Sequence, residues 1–273
     1  KSMINPQMYQ LPYLVIRGTT VALIIGFYLL INEGSSFAKK LLTIDKITII
    51  GGLSLTTAFL GFIYSISYTT AAVTLLMLAL MPFLASILAF MFLSEKISLQ
   101  NLISMVIAFI GTLVMIYASA FSGSFFGLFM GFISSLGFSA FTVALRSKTD
   151  FKKFYIIIYA GIFCAIISIF LMVFQGQDFY LPFKNIGLSV VHGCIVASGL
   201  ILFSIGSKQL LSGELTMLSL LEVVGGIFWA WLPILGINEV PHTNTIIGGI
   251  IICSAIAMNS YRFDRKRLQN ATR

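Results

Sequence analysis

Apolar residues run along this chain in blocks of roughly twenty, and polar residues collect in short breaks between them. About 20 consecutive apolar residues in a helix cross the hydrocarbon core of a bilayer. Nine blocks meet that length, at 11–31, 47–69, 71–93, 100–120, 124–146, 154–175, 185–206, 213–236 and 244–261. The breaks are rich in turn formers, as in Asn32-Glu33-Gly34-Ser35-Ser36, Ser94-Glu95-Lys96, Ser122-Gly123-Ser124, Gln175-Gly176-Gln177-Asp178 and Asn238-Glu239-Val240-Pro241. None is long enough to form a soluble domain. The pattern predicts an all-α polytopic membrane protein with nine spans.

Composition narrows this further. Hydrophobic residues make up 58% of the 273 positions and charged residues 10%, against about 25% charged in a soluble domain. So few charges cannot coat a water-soluble globule, so lipid must bathe most of the outside. The net charge of +8 does not point to nucleic acid, because the basic residues form short clusters between spans rather than a stripe on one element. The three cysteines, Cys164, Cys194 and Cys253, fall inside apolar blocks without metal-ligand spacing and read as buried free thiols.

The same clusters orient the chain. Lys39, Lys40, Lys46, Lys96, Arg146, Lys148, Lys152, Lys153, Lys208, Arg262, Arg265, Lys266, Arg267 and Arg273 all fall on one side, fourteen of the seventeen basic residues. Lys1 and Lys184 fall on the other, and Arg17 lies within the first span. Basic loops stay cytoplasmic. The C-terminus is therefore expected inside, residue 1 outside, and the location is a bacterial inner membrane.

The two halves of the chain resemble each other. Thr74-Leu75-Leu76-Met77-Leu78 lies over Thr216-Met217-Leu218-Ser219-Leu220 at a spacing of 142 residues. Glu95 and Glu239, like the span ends at Tyr117 and Tyr261, are spaced by 144. The offset holds five spans, and an odd number turns the second copy upside down. The expected fold is two inverted five-helix repeats, residues 1–120 and 121–273, the second ending in a basic cytoplasmic tail. Nothing before 11–31 matches the span at 124–146, so the first repeat is expected to lack its first helix, the complete protein having ten spans. Inverted repeats are the architecture of secondary transporters, with the site near mid-membrane between the copies.

From Ala79-Leu80-Met81-Pro82-Phe83 to Leu93-Ser94-Glu95-Lys96, and from Leu220-Leu221-Glu222-Val223-Val224-Gly225-Gly226 through Trp229-Ala230-Trp231 to Glu239-Val240-Pro241, the chain resembles the drug/metabolite transporter superfamily, in its ten-helix EamA-like branch. The likeness spans nearly the whole chain and is nearly silent on substrate. It implies a central cavity and export or exchange of small metabolites without ATP. The family's proline after the acidic residue is Val223 here, which removes a kink or moves it to Pro233. No GxxxxGK[ST] run is present, and no cofactor is expected.

Glu222 is the first candidate for substrate binding or coupling. It lies nine positions after Gly213, about 13 Å along a helix and so near the bilayer middle. A carboxylate there costs about 2.5–3.5 kcal/mol, so it pairs, sits in a wet cavity, or stays protonated until water reaches it. The last is the behaviour of a proton-coupling site; the bland alternative is a structural carboxyl bonded to a neighbouring helix. Arg17 either snorkels to the interface, pairs with Glu222, or grips a substrate carboxylate. His192 titrates near neutral pH or is a packed polar residue. Tyr64 and Tyr68, four apart on one helix face, and Trp229 are read as cavity-lining aromatics, the alternative being an interfacial belt. Thr142 offers a hydroxyl to a ligand or to a neighbouring helix. Pro82 marks a kink, and Glu95 and Glu239, at span ends, are gate or topology residues.

The reading that follows is a proton-linked or facilitative carrier of amino acids and related zwitterions, working by alternating access, as a monomer or homodimer in the bilayer. Two alternatives stand beside it: a carrier or flippase of cationic or lipidic compounds, and a non-transporting scaffold. An intramembrane enzyme lacks a motif here, with no HExxH, no GxSxG and no paired intramembrane aspartates.

Overall fold

A computed structural model describes residues 4–34, 36–43, 45–69, 71–116, 124–148, 152–222, 224–225 and 243–271. The described chain is helical: α1 Pro6–Glu33, α2 Ser36–Leu42, α3 Lys46–Tyr68, α4 Ala71–Leu78, α5 Met81–Leu93, α6 Leu99–Ile116, α7 Phe125–Arg146, α8 Lys152–Phe174, α9 Phe183–Gly206, α10 Ser212–Leu218 and α11 Thr243–Ala271. Among the described residues, six stretches are long and apolar enough to cross a membrane: α1, α3, Val73–Leu93, α7, α8 and α9. Leu99–Val114 and Thr243–Asn259 are shorter apolar helices. The protein is a multi-pass membrane protein.

Local chemistry sets the ends of these helices. Asp45 caps α3 by accepting from the Thr48 N–H at 2.9 Å. Ser124 caps α7 in the same way through the Gly127 N–H, and its hydroxyl donates to the Tyr68 carbonyl, tying α7 to the end of α3. The span at 71–93 is two helices, broken at Ala79-Leu80 just before Pro82. Proline cannot donate to the ladder, which weakens the helix there. Hydroxyls of α7 bond the backbone beside the break, Ser135 Oγ donating to the Met77 carbonyl at 2.6 Å and Ser139 Oγ to that of Met81 at 3.1 Å. Two features are absent from the hydropathy pattern: the short helix α2, and the continuation of α11 through the basic tail to Ala271.

Large apolar side chains, among them Leu14, Ile25, Leu55, Phe141 and Ile156, pack the interior, and hydroxyls add hydrogen bonds between the helices there. Ser134 Oγ donates to the Ala58 carbonyl between α7 and α3, and Thr56 Oγ1 to the Ala160 carbonyl between α3 and α8. Leu23, Phe27, Phe170, Phe174 and Leu202 face outward, where lipid receives them. The same logic corrects the cysteine expectation. Cys164 is buried, but Cys194 and Cys253 are exposed, since an apolar span has a lipid face as well as a packed one. Gly127, Gly131 and Gly193 do sit at close helix approaches, whereas Gly199 faces open space.

Candidate functional site

The middle of α1 is enclosed by its neighbours. A Cβ on Gly18 would lie 2.7 Å from the Gly161 carbonyl oxygen, and one on Gly161 would lie 2.6 Å from that of Gly18. The backbones of α1 and α8 therefore touch there. On another side, a Cβ on Gly193 of α9 would lie 2.7 Å from Thr20 Cβ and 3.2 Å from the Arg17 carbonyl oxygen. This pressing from two helices leaves Arg17, the residue beside Gly18, only 3% exposed.

The Arg17 guanidinium lies 4.3 Å from the centroid of the Phe59 ring on α3, a cation–π contact. Its Nε and Nη1 are buried without a hydrogen-bond partner among the described residues. Arginine keeps its charge in proteins, and a buried ion costs several kcal/mol unless it is paired and hydrogen-bonded. Phe59 covers a face of the guanidinium but cannot satisfy its in-plane donors. Interfacial snorkelling does not describe a side chain placed this way.

Tyr13 lies one turn before Arg17 and is held by α9. Its hydroxyl meets His192 Nδ1 at 2.9 Å, and its carbonyl accepts from Ser189 Oγ at 2.7 Å. His192, read from sequence as a titrating group or a packed polar one, is thus the partner of a tyrosine in the turn preceding Arg17. Glu222 follows α10, with its N–H bonded to the Ser219 carbonyl at 2.9 Å. Its side chain is exposed. A Cβ on Gly225, one turn on, would have nothing within 4 Å.

Tyr64 and Tyr68 stack with ring centroids 6.2 Å apart and planes 4° from parallel. Phe126 meets both edge-on, at 6.1 and 5.2 Å. This cluster sits at the α3–α7 junction, toward the end of the protein opposite the basic loops. Thr142 is buried in α7, and its hydroxyl donates to the Phe138 carbonyl of its own helix at 2.9 Å, which leaves no donor for a ligand. Trp229 and Glu239 lie outside the described residues.

Glu95 lies at the basic end in a polar cluster. Its Oε1 accepts from Arg146 Nε at 2.5 Å and its Oε2 from the Ser212 N–H at 2.9 Å. Arg146 Nη1 also donates to the Ser207 carbonyl at 2.8 Å. Asn101 Nδ2 donates to Glu214 Oε1 at 3.1 Å, and Glu214 Oε2 accepts from the Leu211 N–H at 3.2 Å. Sequence reading took Arg146 only as a topology signal and did not single out Tyr13, Phe59, Asn101, Ser212 or Glu214. For Tyr13 a signal existed, since positions four apart share a helix face with Arg17.

Residues 4–117 match the EamA-like transporter family, which lies within the drug/metabolite transporter superfamily. No curated protein matches the sequence. A solved structure, described only as a crystal structure of a protein, is similar to this fold with a TM-score of 0.71. It shares 17% identity and the alignment covers 93% of this chain and 88% of that one. At that identity the likeness is one of fold alone.

Proposed function

We propose, from the match of residues 4–117 to the EamA-like transporter family, that this membrane protein is a secondary-active exporter of small zwitterions, amino acids first among them. The observation that carries the reading is Arg17: a buried cation whose Nε and Nη1 have no hydrogen-bond partner among the described residues. With Glu222 as an acid of opposite charge, the pair suits a solute bearing both a carboxylate and an ammonium. The carboxylate meets the free edge of the guanidinium, a geometry that favours planar anions, while the ammonium or a coupling proton meets Glu222. The Tyr64–Tyr68–Phe126 cluster lines the approach for an apolar side group. His192, through Tyr13, sets the turn that carries Arg17.

Transport follows by alternating access between two inverted repeats, linked to a proton or simply facilitative. The reciprocal contact of Gly18 and Gly161 supports the repeat, since these two residues are 143 positions apart, between the 142 and 144 of the matched segments. The basic loops and tail support an orientation with the Glu95 end and the C-terminus in the cytoplasm of a bacterial cell.

The test is metabolite profiling of medium from cells expressing the full-length protein, its Arg17→Gln variant or its Glu222→Gln variant, at matched membrane abundance. Zwitterions accumulating with the native protein alone are the expected result. Accumulation of quaternary ammonium compounds that Arg17→Gln leaves unchanged would replace the zwitterion reading with the cation carrier. Media that match an empty control would overturn export.

A further inference from the structure

The polar cluster at the basic end has a feature that helix capping alone does not require: most of its bonds run between the two halves of the sequence. Glu95 and Asn101 belong to residues 1–120, whereas Arg146, Ser212 and Glu214 belong to 121–273. Glu95 bonds Arg146 at 2.5 Å and the Ser212 N–H at 2.9 Å, and Asn101 bonds Glu214 at 3.1 Å. Arg146 then extends the set to the Ser207 carbonyl at the end of α9. The ends of α5, α7, α9 and α10 are thereby gathered around one carboxylate and one guanidinium. These side chains are only 12% and 18% exposed, so water competes weakly for the bonds.

Just inside this cluster α10 lies directly on α5 and α6. A Cβ on Gly213 would overlap Ser86 Oγ and lie 2.6 Å from Met105 Cε. Ser86 lies about two turns before the end of α5 at Leu93. A small cleft lined by Ser86, Glu95, Lys96, Asn101 and Gly213 occupies the same region. Charge on the outside and a bare glycine contact on the inside close one end of the protein in two layers.

We propose that Glu95, Arg146 and the Ser212 N–H, with the Gly213–Ser86 contact beneath them, form the cytoplasmic gate of this carrier. The proposal rests on the alternating-access reading above. Glu95 is the hub, since one carboxylate holds a side chain of α7 and the backbone at the start of α10 together. Opening breaks both bonds and lifts Gly213 from Ser86, while the Arg146–Ser207 bond, within the second half, moves as part of one body.

The experiment needs no substrate. A Ser86→Cys variant of the full-length protein in inside-out vesicles is treated with a membrane-impermeant maleimide, and modification of position 86 is followed by mass spectrometry. Adding Glu95→Gln, or separately Gly213→Ala as a steric wedge, is expected to speed modification by about tenfold or more, the population change that follows loss of one charge-assisted hydrogen bond. Ser134→Ala, which removes a buried hydrogen bond between α7 and α3 away from this end, serves as the control for general loosening and is expected to leave the rate within about twofold of the parent. Equal rates in parent, Glu95→Gln and Gly213→Ala would overturn the gate. So would an acceleration by Ser134→Ala as large as theirs. A silent metabolite profile beside a gate-dependent labelling rate would fault the export reading and leave the gate standing.

Discussion

Replacing Gly18 by alanine tests whether backbone contact between α1 and α8 holds the Arg17 turn in place. The added methyl would stand 2.7 Å from the Gly161 carbonyl oxygen, 3.2 Å from Cys164 Cβ and 3.3 Å from the Ala165 nitrogen. Carbon–oxygen contacts of this kind settle near about 3.3 Å, so the helices must part by roughly 0.6 Å. The nearest atom is backbone, and no rotamer change can relieve it. Overpacking of this sort costs about 1–3 kcal/mol. Alanine also gains about 0.8–1 kcal/mol over glycine from helix propensity, which would mask part of the loss. Gly199→Ala provides the correction, because a Cβ at Gly199 meets nothing within 4 Å and carries the propensity gain alone. The difference between the two variants isolates the clash. At about 2–4 °C per kcal/mol for a chain of this size, Gly18→Ala should melt at least about 2 °C, and up to about 12 °C, below Gly199→Ala. Thermal unfolding of both proteins in the same lipid nanodiscs measures it. The Gly18→Ala/Gly161→Ala double variant should lose less than the sum, since helices already parted meet the second methyl more easily. Midpoints of Gly18→Ala and Gly199→Ala within a degree of each other would refute the reasoning.

At the break before Pro82, Ser135→Ala removes a 2.6 Å bond to the Met77 carbonyl and should cost about 0.6–1.5 kcal/mol, read as a lowered midpoint in the same assay. Thr142→Val, by contrast, loses only a bond to its own helix, so the midpoint should fall by no more than about 1 kcal/mol and export should be unchanged. Tyr13→Phe and His192→Ala remove two ends of one 2.9 Å hydrogen bond, and a double-mutant cycle on unfolding should give a coupling above about 0.5 kcal/mol. Additive losses would mean that the pair does not hold α1 to α9.

What the sequence could show and what it could not divide along a physical line. Span positions were legible because the bilayer demands a run of apolar residues whatever the neighbours are, and α1, α3, α7, α8 and α9 lie where hydropathy puts them. The break at Pro82 was legible because proline disrupts the ladder locally. Its consequence was not, since Ser135 and Ser139 are 53 and 57 positions away, and any hydroxyl on a neighbouring helix could have served. Lipid removes the usual contrast between buried and exposed faces, which is why Cys194 and Cys253 read as buried and lie outward. Arg17 and Glu222 stood out because an isolated charge in an apolar run is costly wherever it points. Arg146 did not, because a basic residue at a span end is cheap and every topology has several. Only the third dimension distinguishes it. Lys148, two residues on, is paired with Asp45, while Arg146 crosses to Glu95 and Ser207 and joins three helix ends. A cost paid by one residue alone can be read from its neighbours in sequence; a bond whose strength depends on mutual burial becomes visible once the fold has brought its partners together.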